Sequence, residues 1–202
     1  MLDTNSTPSL SYLELARKCL RGQAPLIQYR NKSQHDMTVI ASELKEIAQL
    51  CEAFTATCVI NDHPHLASNI LGVGAHVGQA DMSPQLARTK LGANRLLGYT
   101  INTRRQLLHL SGGDVDYIGV GPVFETNSKA KPAPTLGLKE LEKIVKVSPV
   151  PVIAIGGITP NRVAPVLNTG AHGIAILSGI CGHPDPTEAT RNFMESIRIT
   201  DS

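Results

Sequence analysis

The chain has 202 residues, 42% of them hydrophobic and 18% charged, with a net charge of +2 and an isoelectric point near 8.4. Those totals fit one soluble domain with a large core. The mild charge, the lack of a long basic run and the 3% aromatic content exclude an evident nucleic-acid binder, and no apolar run approaches the about 20 residues that cross a bilayer.

The opening MLDTNSTPSLSY lacks a basic region followed by an apolar one, so no signal peptide is expected. MLDTN offers at most a stub of strand ahead of a helix over 11–21. Strand-like runs follow at 24–29, 57–61, 74–77, 95–100, 116–120, 150–155 and 173–177. Amphipathic patterns lie between them. TVIASELKEIAQLCEAF places Val39, Leu44, Ile47, Leu50 and Cys51 near one helical face. TPNRVAPVLNTG carries Val163, Val166 and Leu167, with Gly170 as its C-cap, and PTEATRNFMESI closes the chain as a helix. Cys19, Cys51, Cys58 and Cys181 show no CxxC spacing and read as reduced, buried thiols of a cytoplasmic protein.

Seven βα units with short connections require a parallel sheet. A doubly wound sheet and a (β/α)₈ barrel both satisfy that pattern. No GxGxxG follows an early strand, which weakens a dinucleotide-binding sheet. VPVIAIGGITPN, residues 150–161, reads as a buried strand, two glycines and a helix start at Thr159-Pro160. Backbone N–H groups converge at such a place and can hold an anion, although a plain tight turn gives the same letters. GIAILSGI after the last strand is a second such place. Phosphate sites after the last two strands are a barrel habit. The expected fold is therefore α/β, a single-domain (β/α)₈ barrel over 1–202 whose first strand is truncated.

Catalytic groups of barrels gather where strands end. IQYRNK puts Gln28, Arg30 and Lys32 at alternate positions, facing one space. Two cations and an amide there repel unless something negative lies between them; a solvated strand end is the simpler reading. VIND ends the next strand with Asn61 and Asp62, and HVGQAD ends the one after with Gln79 and Asp81. Two carboxylates on neighbouring strands can share Mg²⁺, or each can cap the helix that follows. GVGPVFETNSKAKPAP supplies Thr126, Ser128 and Lys129 on an anion-seeking loop that would also pass as ordinary surface. His63, His65 and His76 are too weakly patterned to read as metal ligands. No Ser-His-Asp or Cys-His arrangement stands out, so no protein nucleophile is expected.

In order, Gln28-x-Arg30-x-Lys32, Asn61-Asp62, HVGQAD, DYIGVGPVFETNSK, AIGGITPN and ILSGI resemble the thiamine-phosphate synthase family over roughly residues 24–181. The resemblance implies a (β/α)₈ barrel that joins an aminopyrimidine diphosphate to a thiazole phosphate with Mg²⁺ and releases diphosphate. It implies that Gln28, Arg30, Lys32 and Asn61 hold the pyrimidine diphosphate and that Asp62 and Asp81 bind Mg²⁺. Thr100 falls where the family has a serine near the pyrimidine. Thr126 and Ser128 match the loop over the thiazole phosphate, Lys129 a lysine on the diphosphate, and Gly157, Leu177 and Ser178 the thiazole-phosphate pocket. Arg30, Lys32 and Lys129 are the expected catalytic cations. The partners expected are these two small molecules, with no nucleic acid or membrane, and the oligomeric state is left open. A thiazole tautomerase-like isomerase and a non-catalytic phosphate-binding paralogue are the alternatives; the diphosphate residues favour the synthase.

Overall fold

A computed structural model of the chain describes residues 1–3, 9–33, 36–108, 110, 113–126 and 134–200. Helix α1 (Tyr12–Arg21) starts at a capping box: the Ser11 N–H donates to Glu14 Oε2 at 2.9 Å, and the Glu14 N–H donates to Ser11 Oγ at 3.2 Å. Its apolar stripe buries Leu15, Ala16, Cys19 and Leu20. Seven strands follow: β1 (Leu26–Tyr29), β2 (Thr57–Asn61), β3 (Val73–Val77), β4 (Leu97–Ile101), β5 (Tyr117–Val120), β6 (Val152–Ile155) and β7 (Gly173–Ala175). They form one parallel sheet in sequence order. All seven runs expected from the sequence carry a strand: β2 has the expected bounds, β3 starts one residue earlier, β4 is shifted to end one residue later, and the other four are shorter.

Helices alternate with the strands, as parallel pairing requires. They are α2 (Met37–Ala53), α3 (Pro64–Ala67), α4 (Pro84–Leu91), α5 (Arg104–Leu107), α6 (Gly137–Val147), α7 (Val163–Leu167), α8 (Ser178–Cys181) and α9 (Pro186–Thr200). Asp36 caps α2 by accepting the Thr38 N–H at 2.8 Å. The buried face of α2 is Ile40, Leu44, Ile47, Leu50 and Cys51, whereas Val39 is 37% exposed. Ile40 takes the place expected for Val39, because it lies four residues before Leu44 and so over the same face. All four cysteines are free and buried. Among the described residues no helix is long and apolar enough to cross a membrane.

Of the expected eight-stranded barrel with a truncated first strand, the structure shows a curled parallel sheet. The described residues form seven strands, and the first position holds a single paired residue. Leu2 bridges Tyr29 in parallel, its N–H donating to Gln28 O at 2.7 Å while the Arg30 N–H donates to Leu2 O at 3.3 Å. On the other side the Met1 amino group donates to Ile176 O at 3.1 Å, just past β7. Of the two apolar residues before Asp3, Leu2 makes the bridge, and the Asp3 carboxylate turns to Arg30. The sheet nevertheless curls strongly: Gln28 of β1 and Ala175 of β7 line the same cavity of about 850 Å³.

Candidate active site

The strand ends expected to carry chemistry converge on this cavity. Gln28, Arg30, Asn61, Thr100, Thr126, Gly157, Leu177 and Ser178 all line it. Parallel register puts Gln28 beside Val59, one layer below Asn61, and the Gln28 Nε2 donates to Asn61 Oδ1 at 3.0 Å. That bond leaves Gln28 Oε1 and Asn61 Nδ2 for a ligand, an acceptor next to donors.

The adjoining wall is built from His76, which pairs with Asn61, and from Thr100 and Tyr117. His76 on β3 stands opposite Gly98, which stands opposite Tyr117, and Thr100 stands opposite Gly119. Gly98 is required here. A Cβ on it would lie 2.1 Å from Tyr117 Cζ and 2.4 Å from His76 Nδ1. Without one, the two rings meet across β4, with His76 Nδ1 3.0 Å from the Tyr117 hydroxyl. His76 Nε2 lies 2.7 Å from Thr100 Oγ1. Burial first, and the Asp116 charge second, push the Tyr117 phenol well above its ordinary pKa, so it stays protonated. Tyr99 alternates to the outer side of the strand and packs against the core.

Charge is confined to the mouth. Arg30 and Lys32 lie beyond the end of β1, and each has found the negative partner that their proximity demands. Arg30 Nη1 donates to Asp3 Oδ2 at 2.5 Å. Lys32 donates to Asp62 and lies 3.8 Å from Asp81 Oδ1. The Asp62 and Asp81 side chains are 12% and 25% exposed. Burial, then the hydrogen bond shared with Asp81, raise the Asp62 carboxyl above the usual carboxylate range. Burial also works against the charged form of Asp81, but the bonds from Asp62 and Gly78 N–H and the Lys32 charge hold it below that range. Neither aspartate caps a helix. His63 and Ser83 are the N-caps of α3 and α4, and Asp81 Oδ2 instead accepts the Gly78 N–H at 2.7 Å. Asp62 has φ of 70°, a left-handed conformation rare outside glycine and concentrated at functional sites. Among the described residues no cluster of three or more His, Cys, Asp or Glu could hold a metal. Lys32, Asp62 and Asp81 do not line the cavity itself; they cluster just past the ends of the strands that carry Gln28, Asn61 and His76, and two such carboxylates are the donor set that Mg²⁺ takes when phosphate oxygens and water complete its shell.

The glycine pair after β6 shapes the third side. Gly157 has φ of 62°, and a Cβ there would lie 2.4 Å from Glu125 O and 2.8 Å from Phe124 Cβ. The loop after β5 is thus pressed on this glycine, and Phe124 N–H donates to Gly156 O at 3.0 Å. Arg162 Nη1 closes the turn on Gly157 O at 2.7 Å and stacks 4.4 Å over the Phe124 ring. The glycine thus serves both the turn and the seating of Phe124-Glu125. If Gly157 lines the thiazole-phosphate pocket as the resemblance implies, Gly157→Val is expected to weaken that binding about 10-fold or more and to lower the melting temperature as well. Calorimetric titration with an unchanged dissociation constant would limit its role to the turn.

Ser128 and Lys129 lie outside the described residues. Sequence reasoning missed Asp3, Asn102 and the roles of His76 and Tyr117. Asn102 lines the cavity and donates to Gly121 O at 2.5 Å. The available signal was alternation: Gly98 and Gly119 fall at inward positions, and glycine inside a barrel marks room for a large neighbour.

A cavity inside a curled parallel sheet, lined by neutral polar groups and reached by residues at the strand ends, is the kind of site in which an enzyme of this architecture binds a small molecule. The sequence profile of the thiamine monophosphate synthase family matches residues 2–180, and the chain belongs to that family. It is 37% identical to the thiamine-phosphate synthase of Salinibacter ruber over 93% of this chain and 82% of that one. The corresponding figures for the thiamine-phosphate synthase of Dictyoglomus turgidum are 34%, 92% and 82%. Among solved structures, thiamine phosphate pyrophosphorylase from Pyrococcus furiosus superposes with a TM-score of 0.87 at 28% identity, covering 99% of this chain and 94% of that one. Orotidine 5′-phosphate decarboxylase from Pyrococcus horikoshii, at 13% identity and TM-score 0.66 over 93% of each chain, shares the fold.

Proposed function

We propose that this chain is a thiamine-phosphate synthase: it condenses 4-amino-2-methyl-5-(diphosphooxymethyl)pyrimidine with a thiazole phosphate, releasing diphosphate, as a transferase of thiamine biosynthesis. The observation that carries this is a neutral amide pair, Gln28–Asn61, lining the cavity next to a charged cluster at the same strand ends, Arg30 on the lining and Lys32, Asp62 and Asp81 beside it. A flat aminopyrimidine with a diphosphate tail is complementary to both at once. An aminopyrimidine edge sets an N–H donor beside a ring-nitrogen acceptor, which answers the free acceptor of Gln28 and donors of Asn61.

Asp62 and Asp81 would hold Mg²⁺. Bound there, the ion would neutralise negative charge on the departing diphosphate. Arg30, Lys32 and Lys129 supply fixed positive charge to the same leaving group. Lys32 and Arg30 start in ion pairs, so both are restrained near the rim before substrate arrives. Thr100 meets the pyrimidine, and Thr126, Ser128, Gly157, Leu177 and Ser178 hold the thiazole phosphate. The nucleophile is a ring nitrogen with its own lone pair, so the site needs no general base, which agrees with the neutral, hydrogen-bonded groups in its interior. Holding the two rings in line supplies much of the remaining acceleration.

In this reading residues 1–202 act as one cytoplasmic domain, and residues 1–3 stand as the eighth position of a closed barrel. Incubation with both substrates and Mg²⁺ tests the function, with thiamine phosphate and diphosphate as the expected products. Turnover of the thiazole alone without diphosphate release would make the chain an isomerase, and binding without product a phosphate-binding paralogue. Lys129→Ala is expected to lower kcat about 10- to 100-fold with a smaller change in the Michaelis constant for thiazole phosphate. A change confined to the Michaelis constant would assign Lys129 to substrate binding.

A further inference from the structure

The interior of the cavity holds a chain of polar groups that the charged rim does not need. It runs from Tyr117 through His76 to Thr100, at 3.0 Å and 2.7 Å. His76 is buried, and Gly98 and Gly119 leave its ring the space to touch both neighbours: a Cβ on Gly119 would come within 3.2 Å of His76 Cε1. Three strands are therefore built to bring these groups together.

We propose that Tyr117 locks His76 in the tautomer with its proton on Nε2, and that His76 thereby fixes the Thr100 hydroxyl as a hydrogen-bond donor to an acceptor atom of the pyrimidine substrate. This rests on the synthase reading above. The direction follows from counting protons. A buried phenol keeps its hydrogen, and His76 Nδ1 lies 3.0 Å from the Tyr117 hydroxyl, so Nδ1 accepts. A neutral imidazole then carries its single proton on Nε2, which donates to Thr100 Oγ1. Thr100 has accepted, so its own hydrogen points elsewhere, and Thr100 lines the cavity. A free hydroxyl turns either way, as donor or acceptor; one held this way presents a donor before substrate arrives, with no reorientation during the reaction. His76 and Tyr117 are positioning residues, while Thr100 is the group in contact with substrate.

Nitrogen-15 NMR of histidine-labelled protein tests the tautomer without any substrate. The His76 signals are assigned by their loss in His76→Gln. The expected result is a proton on Nε2 and a bare Nδ1 in the wild type, with a mixed tautomer in Tyr117→Phe. A proton on Nδ1, or on both nitrogens, at neutral pH overturns the proposal. Kinetics tests the consequence. Thr100→Val, which keeps the side-chain shape, is expected to lower kcat/KM for the pyrimidine diphosphate about 10- to 100-fold. Tyr117→Phe is expected to lower it about 5- to 10-fold, and neither should move the Michaelis constant for thiazole phosphate. In Thr100→Val the hydroxyl is gone, so adding Tyr117→Phe should cost nothing more. Additive losses, or losses shared by both substrates, would mean that the chain is only structural. A wild type that shows the Nε2 proton but makes no thiamine phosphate would refute the synthase reading and leave the tautomer lock standing.

Discussion

Replacing Asp62 or Asp81 by alanine is expected to lower turnover on the order of 100-fold or more and to leave the fold intact. The two parts of that expectation have the same origin. The carboxylates stand close together at a rim, where burial and their mutual bond push the Asp62 carboxyl upward. Asp62 therefore ionises against Asp81, and removing one relieves that conflict rather than opening a hole in the core. Lys32, left with one partner, has a side chain 46% exposed and can turn to solvent. Activity has no such slack, because a cation held by one carboxylate is poorly placed against diphosphate. Asp62→Asn and Asp81→Asn, which keep shape without charge, should lose nearly as much as the alanine variants. The measurement is initial rate against Mg²⁺ concentration, with circular dichroism and thermal unfolding as the folding control. Full rate in both alanine variants, or in excess chelator, would remove the metal from the mechanism.

Much of the scaffold was legible because its signals are local. A β-branched run followed by an amphipathic stretch, seven times over, admits few arrangements, and a parallel sheet in sequence order is what the strands adopt. Alternation also put Gln28, Arg30 and Lys32 toward one space, and the first two line the cavity while Lys32 lies past it on Asp62. What sequence could not give depended on register between strands. His76 and Tyr117 are 41 residues apart, and they touch because both pair with one glycine. Nothing local to either residue announces that contact. Val39 failed for a smaller reason of the same kind: helical periodicity offered two neighbouring stripes, and only packing chose the one through Ile40. Asp3 lies in the MLDTN stub with nothing local to mark it, and its role as counter-ion to Arg30 follows from the sheet curling until the chain start meets β1.

That stub is the place where fold and site depend most directly on each other. Leu2→Ala is expected to destabilise the protein by about 2–5 kcal/mol, or roughly 5–15 °C in melting temperature. Leu2 is 0% exposed and joins the core, so truncation leaves a cavity that the surrounding helices and strands can only partly close. The backbone pairing should survive, because alanine keeps the N–H that donates to Gln28 O and the carbonyl that accepts from Arg30. Leu2→Pro removes the donor as well as the side chain and should cost more. Amide exchange separates the two effects. Arg30 N–H should stay protected in Leu2→Ala and lose protection in Leu2→Pro. The second variant should also raise the Michaelis constant for the pyrimidine diphosphate, because Asp3 no longer sits within 2.5 Å of Arg30 to restrain it at the rim. Unfolding midpoints equal to wild type in both variants would show that the sheet is held without its first position. Lost stability with an unchanged Michaelis constant would show that Arg30 finds the diphosphate without help from Asp3.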